Sequence, residues 1–298
     1  MTDFLAKGSL FPETLVTEMF NKVKGHSSIA RLCNQSPIAF NGQKEFTFSL
    51  DKEIDVVAEN GAKTKGGATI APVTIVPVKV EYGLRVSDEF MYASEDVQLD
   101  YLTSFSDGFA NKLARGIDIM AIHGFNPRTA AASAVIGDNN FDTAVTNIVT
   151  EATATADEDI ESAIALVQAA DNDVNGMVLS STTRGKLAKL VDGQNRRLYP
   201  ELAWGNNPGT INGLAADVNS TISFNSSKDR VLVGDFYKAF KWGFAKQMPI
   251  EVIQYGNPDN DATLGDLKGH NQVYLRGEAY VGWGILDPLA FALIKAAA

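Results

Sequence analysis

The chain has 298 residues, 45% hydrophobic and 21% charged, which suits one large globular domain or two ordinary ones with a real core. A formal charge of -10, with a pI of about 4.8, argues against tight phosphate binding through a basic surface. Cys33 is the only cysteine, so an internal disulfide is excluded and a reducing compartment is the simplest setting.

The N-terminus lacks the basic and apolar blocks of a signal peptide, and no apolar run reaches the ~18 residues of a membrane span. An amphipathic segment opens the chain. Pro12 suits a first helical turn, Leu15, Val16, Met19, Phe20 and Val23 make a stripe, and Gly25 ends it. Within residues 1–35, a docked helix and an extended arm are both open.

Residues 36–85 change period. Phe46, Phe48 and Leu50 alternate with Glu45, Thr47 and Ser49, as in a half-buried strand. Val76, Val78, Val80 and Tyr82 alternate in the same way against Lys79 and Glu81. Between the two runs lies a polar, glycine-rich tip from Gly61 to Gly67, carrying Lys63 and Lys65. Pro72 and Pro77 remove ladder donors and so suit an edge. The pattern predicts a long hairpin arm. Two strands alone are marginal in water, so the arm needs a surface to lie on; an ordinary hairpin on its own sheet is the alternative.

Within residues 86–156, a long amphipathic helix is predicted over 94–123. Leu102, Phe105, Phe109, Leu113, Ile117 and Met120 fall three or four apart on one face. Ser94 can cap its start, Glu95 and Asp96 suit the positive end of its dipole, and Gly124 can close it. Such a rod reads as a spine. Residues 125–156 are rich in Ala, Thr, Asn and Gly and show no strong period.

Helices and strands then alternate over 157–256, which predicts an inserted α/β unit. Asp157, Glu158 and Asp159 lead a helix with Ile160, Ala163, Ile164 and Val167 on its apolar face. Gly176–Leu179 reads as a buried strand, Thr182–Val191 as a second helix, and 194–213 as loop. Val231–Val233 and Ile250–Ile253 read as strands. A polar crossing at 257–271 precedes two strand-like runs, Val273–Trp283 and Leu289–Ile294, taken as the return to the first half over 257–298.

Chemistry finds little foothold. His26, His123 and His270 are far apart, none in a metal-ligand spacing, so structural roles are expected. No phosphate loop and no nucleophile elbow occur. Asp171-Asn172-Asp173-Val174-Asn175-Gly176 matches the first half of a calcium loop, but Thr182 stands where the bidentate Glu belongs, so a turn is expected there. Catalytic residues, cofactors and metals are expected to be absent.

Six segments in order are similar to motifs of the major capsid proteins of tailed bacteriophages, whose fold encapsulins and the herpesvirus capsid floor share. These are Val57–Gly61; Leu84-Arg85-Val86-Ser87 with Glu89-Phe90; Asp118–Gly124 with Asn126-Pro127; Ile211–Leu214 with Asp217-Val218; Val231–Phe236; and Asp287–Phe291. Asp217 stands where that family usually has proline. The resemblance spans nearly the whole chain and implies an α+β fold with named parts. These are an N-terminal arm (1–35), an extended hairpin loop (36–85), a peripheral domain with its spine helix (86–156), an axial domain (157–256) and a return (257–298).

The function implied is a structural protein that self-assembles through pentamers and hexamers into an icosahedral shell around double-stranded DNA, without sequence-specific binding. The place implied is the virion capsid, assembled in the host bacterial cytoplasm. Phe46, Phe48, Val78 and Val80, with Lys63 and Lys65 at the tip, are the expected inter-subunit contacts, and Leu102, Phe105, Phe109, Leu113 and Ile117 the spine's core face. Some members carry a cleaved scaffolding segment. Here Met1 stands directly before the arm, so a separate scaffold, or none, is expected; a portal protein and, as a further option, decoration proteins are implied partners. Some members also join a loop lysine to an asparagine of another subunit; no acceptor or assisting glutamate matches here, so that reaction is not expected. An encapsulin-like shell around protein cargo is the nearest alternative, and a soluble α/β enzyme a more distant one.

Overall fold

The structure, a computed structural model, describes residues 27–50, 52–151, 155–246 and 250–297. The amphipathic segment read at Pro12–Gly25, like His26, lies outside the described residues.

A short helix α1 (Ser28–Leu32) begins the described chain, with the Ser27 hydroxyl accepting from Ala30 N. Strands β1 (Gln43–Leu50) and β2 (Ala68–Ile75) pair antiparallel as a two-stranded ribbon, from Gln43 opposite Ile75 to Leu50 opposite Ala68. Then come β3 (Val78–Ser87) and the spine, α2 (Glu95–His123). A small hairpin of β4 (Phe125–Asn126) and β5 (Ala131–Ala132), helix α3 (Phe141–Ala144) and β6 (Ile148–Thr150) occupy the aperiodic region. Helix α4 (Ala156–Gln168), β7 (Gly176–Leu179), α5 (Ser181–Leu187), β8 (Thr210–Ile211), β9 (Leu214–Val218) and β10 (Asp229–Gly234) follow. The chain ends with β11 (Phe240–Lys246), β12 (Glu251–Ile253), β13 (Gln272–Ile285) and β14 (Phe291–Lys295).

Two main sheets result. One is six-stranded in the order β6-β14-β10-β7-β9-β8 and mixed, with β14–β6 and β7–β9 parallel. The other is built on β13, which pairs β3 along one edge and β11 and β12 in succession along the other. The six-stranded sheet is buried on both faces, and the pleat sorts its residues. Val231, Val233, Met177, Leu179, Ala292 and Ile294 face α4 and its Ile160, Ala163 and Val167. Leu232, Val178, Phe291 and Leu293 face a second core, shared with the spine residues Phe109, Leu113, Ile117 and Met120 and with Trp242 and Trp283.

The spine has 29 residues, roughly 43 Å at 1.5 Å per residue. All six apolar positions of its stripe are buried. Gly124 closes it with φ 68 and an N–H bond to Met120 O, a left-handed position that suits glycine. Ser94 stands at its start, but its hydroxyl makes no capping bond. Gly277 on β13 lets the spine come close: a Cβ there would lie 3.2 Å from the Phe109 ring.

Three boundaries differ from the sequence reading. The hairpin pairs β1 with residues 68–75, not with 76–82; that second run becomes β3 and bonds to β13. Both runs alternate alike, and alternation fixes a face, not a partner. The inserted unit is redrawn, because its sheet takes in 148–150 and 291–295, while Val252 and Ile253 go to the β13 sheet. Its second helix stops at Leu187 rather than Val191. The calcium-like stretch is a turn closing α4, with Asp171 at φ 57 and its N–H bonded to Gln168 O.

Candidate assembly surfaces

The β1–β2 ribbon is held at its root and bare beyond it. Ile75 is fully buried against the body: a Cβ on Gly284 of β13 would lie 2.7 Å from it. Glu45 pairs with Lys241 on β11 and accepts from Gln43 Nε2. Further out, alternation puts Phe46, Phe48 and Leu50 on one face, opposite Pro72, Ile70 and Ala68. Phe46 is 66% exposed, Phe48 64% and Leu50 71%. Large apolar side chains in such a row normally have a cover. At the tip, Asn60 at φ 67 and the Gly61 N–H bond to Ala58 O form a turn, and Lys63 and Lys65 stand in solvent.

The expected contact residues therefore divide. Phe46, Phe48, Lys63 and Lys65 share the projecting ribbon and loop. Val78 and Val80 do not: they sit half-buried in β3, packed on this chain's own core. Leu102, Phe105, Phe109, Leu113 and Ile117 are buried along the spine. Two further apolar patches were not singled out from sequence. Tyr92, Val97, Leu99 and Tyr101 are exposed around the start of the spine, where the Tyr101 ring meets that of Phe90 at 5.5 Å. Trp204 is 97% exposed and left-handed at φ 59, with the Arg197 guanidinium 6.0 Å from its ring. An isolated aromatic in a loop has no periodicity to betray it.

Buried polar groups fix the frame that carries these surfaces. The Asp118 carboxylate, fully buried on the spine, accepts from Ser27 Oγ (2.6 Å), Ser28 N (3.0 Å), Ile29 N (3.2 Å), Asn219 Nδ2 (2.9 Å) and Thr221 Oγ1 (3.3 Å). Burial pushes its pKa up to about 6 despite these donors. Asp217 binds the same segment through Ser28 and Arg31. Arg85 holds the 257–271 crossing, donating to Asp259 (2.6 and 2.9 Å), Asn257 (2.7 Å) and Gly265 O (2.9 Å).

Among the described residues, catalytic groups do not converge. Cys33 is buried and its thiol is pushed up to about 12, first by desolvation and then by Asp235, so it is no nucleophile at neutral pH. His123, Asp142 and Asp229 bring donor atoms within 4.8 Å of one another, a cluster invisible in sequence because its members are far apart. Lys295 already supplies the positive charge there, its Nζ 3.0 Å from Asp142 and 3.2 Å from Asp229. His270 is exposed, with Nδ1 3.2 Å from Asp266 O. Among the described residues, no helix is long and apolar enough to cross a membrane.

Comparison with known proteins then places the chain. The Phage capsid family profile matches residues 7–296. The chain belongs to the phage capsid family. A solved chain from Mycobacterium phage Ogopogo is 33% identical, with TM-score 0.78 over 91% of this chain and 92% of that one. One from Gordonia phage Cozz is 24% identical, with TM-score 0.76 over 92% and 87%. A chain from the capsid of an empty GTA particle shares the fold at 18% identity, TM-score 0.65, over 92% and 90%. No curated protein sequence matches. The protein is thus a structural capsid protein of the phage virion, with the α+β capsid fold, and it acts as an oligomeric shell.

Proposed function

We propose that the subunits gather as pentamers and hexamers into an icosahedral shell around the double-stranded DNA genome of a tailed phage. The ribbon closes the contacts between neighbours. The observation that carries this reading is the bare apolar row of Phe46, Phe48 and Leu50 on a ribbon pinned at its root by Ile75. Burying each of those side chains on an adjacent copy would contribute about 1.5–3 kcal/mol, and closed symmetry repeats the gain around every ring. Lys63 and Lys65 at the tip are placed to meet the same neighbour.

The charge of -10 supports a shell that holds DNA without gripping it, because an acidic lining repels phosphate and leaves the genome mobile. The role is mechanical rather than enzymatic. Separate scaffolding and portal proteins, and decoration proteins where present, complete the particle, and assembly takes place in the host cytoplasm.

Negative-stain microscopy with light scattering on the protein, expressed alone and with its scaffold, tests this. Closed particles or rings of five and six, packaging DNA in infected cells, are the expected result. A uniform monomer under both conditions, or particles filled with protein cargo, would overturn it.

A further inference from the structure

His123 is the last residue of the spine and its side chain is wholly buried. Its Nδ1 lies 2.7 Å from Asp142 Oδ2 on α3 and 3.4 Å from Asp229 Oδ2 on β10. Its Nε2 lies 3.0 Å from the Thr221 carbonyl oxygen. Carboxylates and a carbonyl accept hydrogen bonds, so both ring nitrogens need a proton to satisfy this surrounding, and only the imidazolium carries two. A neutral ring would turn a lone pair toward either Asp142 or Thr221, inside the protein, where an unmade bond is costly.

The charge count agrees. Lys295 on β14 sits 3.0 Å from Asp142 and 3.2 Å from Asp229, so two cations balance two carboxylates only when His123 is charged. The groups facing the ring are Asp142 from α3, Asp229 from β10, Lys295 from β14 and the Thr221 carbonyl, with Phe125 stacked at 5.8 Å. A cleft of about 720 Å³, also lined by Ser133 and Asp138, opens onto the cluster and gives protons a route from solvent.

We infer that His123 is a proton-operated latch, whose imidazolium ties the end of the spine to α3 and to the paired ends of β10 and β14. Loss of the proton releases that junction. The six-stranded sheet then loses one of its fixed points on the spine.

Burial opposes the charge, but Asp142, Thr221 and Asp229 outweigh it and hold the ring's pKa above the usual 6.5. Burial opposes the charge on Asp142 too, but His123, Asp229 and Lys295 outweigh it and hold Asp142 below its ordinary 3.8, while burial and the neighbouring Asp142 push Asp229 above it. A raised histidine contributes stability that is fully present below 6.5 and lost as pH rises through the folded value. Asp142 contributes above 3.8 and loses its share as pH falls through its own lowered value. The latch is therefore closed in mildly acidic to neutral solution and opens on the alkaline side.

The test compares unfolding midpoints of the purified protein and of His123→Gln between about pH 6 and about pH 9. The wild type is expected to lose about 3 °C or more beyond the loss in the variant. An equal offset at every pH would mean a merely structural side chain and would overturn the inference. Where the variant does not fold, histidine C2 hydrogen exchange read by mass spectrometry on the wild type decides. The latch requires His123 to titrate above 6.5; titration at or below that value sinks it.

Discussion

The six-stranded sheet and the β1–β2 ribbon are made of similar residues and meet opposite fates. In the sheet, Leu232 and Val178 find the spine on one side while Val231 and Leu179 find α4 on the other. In the ribbon, Phe46, Phe48 and Leu50 stay largely exposed among the described residues. Apolar strand composition therefore does not say whether a strand finishes its own fold. What separates the two is cover: four central strands sandwiched by helices, against a ribbon anchored only at its root, by Ile75 and the Glu45–Lys241 pair. The first belongs to the stability of the subunit; the second, on the function proposed here, to that of the shell.

The largest test of that division removes cover from the core. Phe141 is fully buried between Phe236, Phe240 and Phe291, with ring centroids 6.4, 5.2 and 4.9 Å away. Phe141→Ala should cost about 3–5 kcal/mol, seen as loss of soluble protein or a collapsed denaturation midpoint. Next in size, Asp118→Asn leaves some of five buried donors without an acceptor and should cost about 1–3 kcal/mol at neutral pH. It should also erase a pH slope. A carboxyl raised from 3.8 to about 6 in the fold binds its proton more tightly there, so wild-type stability falls as pH rises across that window. Urea titrations at two pH values inside the window would show whether the variant lacks that fall.

The ribbon should behave the other way. Phe46→Asp with Phe48→Asp is expected to leave the subunit's unfolding midpoint within ~1 kcal/mol of wild type and to abolish particles in sedimentation, because the lost contacts lie on another copy. Normal particles would break the comparison. Smallest of all, Lys238→Ala removes an exposed, solvent-screened ion pair with Asp173 (3.1 Å) and should leave both the unfolding midpoint and assembly unchanged.

Much of the frame was legible. The spine declared itself because Leu102 to Met120 keep helical spacing over nearly thirty residues, and a long period leaves few alternatives. The β10 and β14 strands were visible as Val231–Val233 and Leu289–Ile294. Their partners were not. That Val78 joins β13 rather than the ribbon, or that 148–150 and 291–295 share a sheet, depends on long-range pairing that alternation cannot encode. Exposure was half legible for the same reason: Phe46 and Phe48 carry the ribbon's exposed face, while the equally alternating Val78 and Val80 pack inward. The His123 cluster was illegible altogether, since its four charged members come from four separate elements.

The most direct measurement is hydrogen exchange on assembled particles against the same protein dissociated. If a neighbour completes the ribbon, amides of 43–50 and 68–75 gain strong protection on assembly, while those of β7 and β10 stay equally protected in both states. Equal exposure of the ribbon amides before and after assembly would contradict the account.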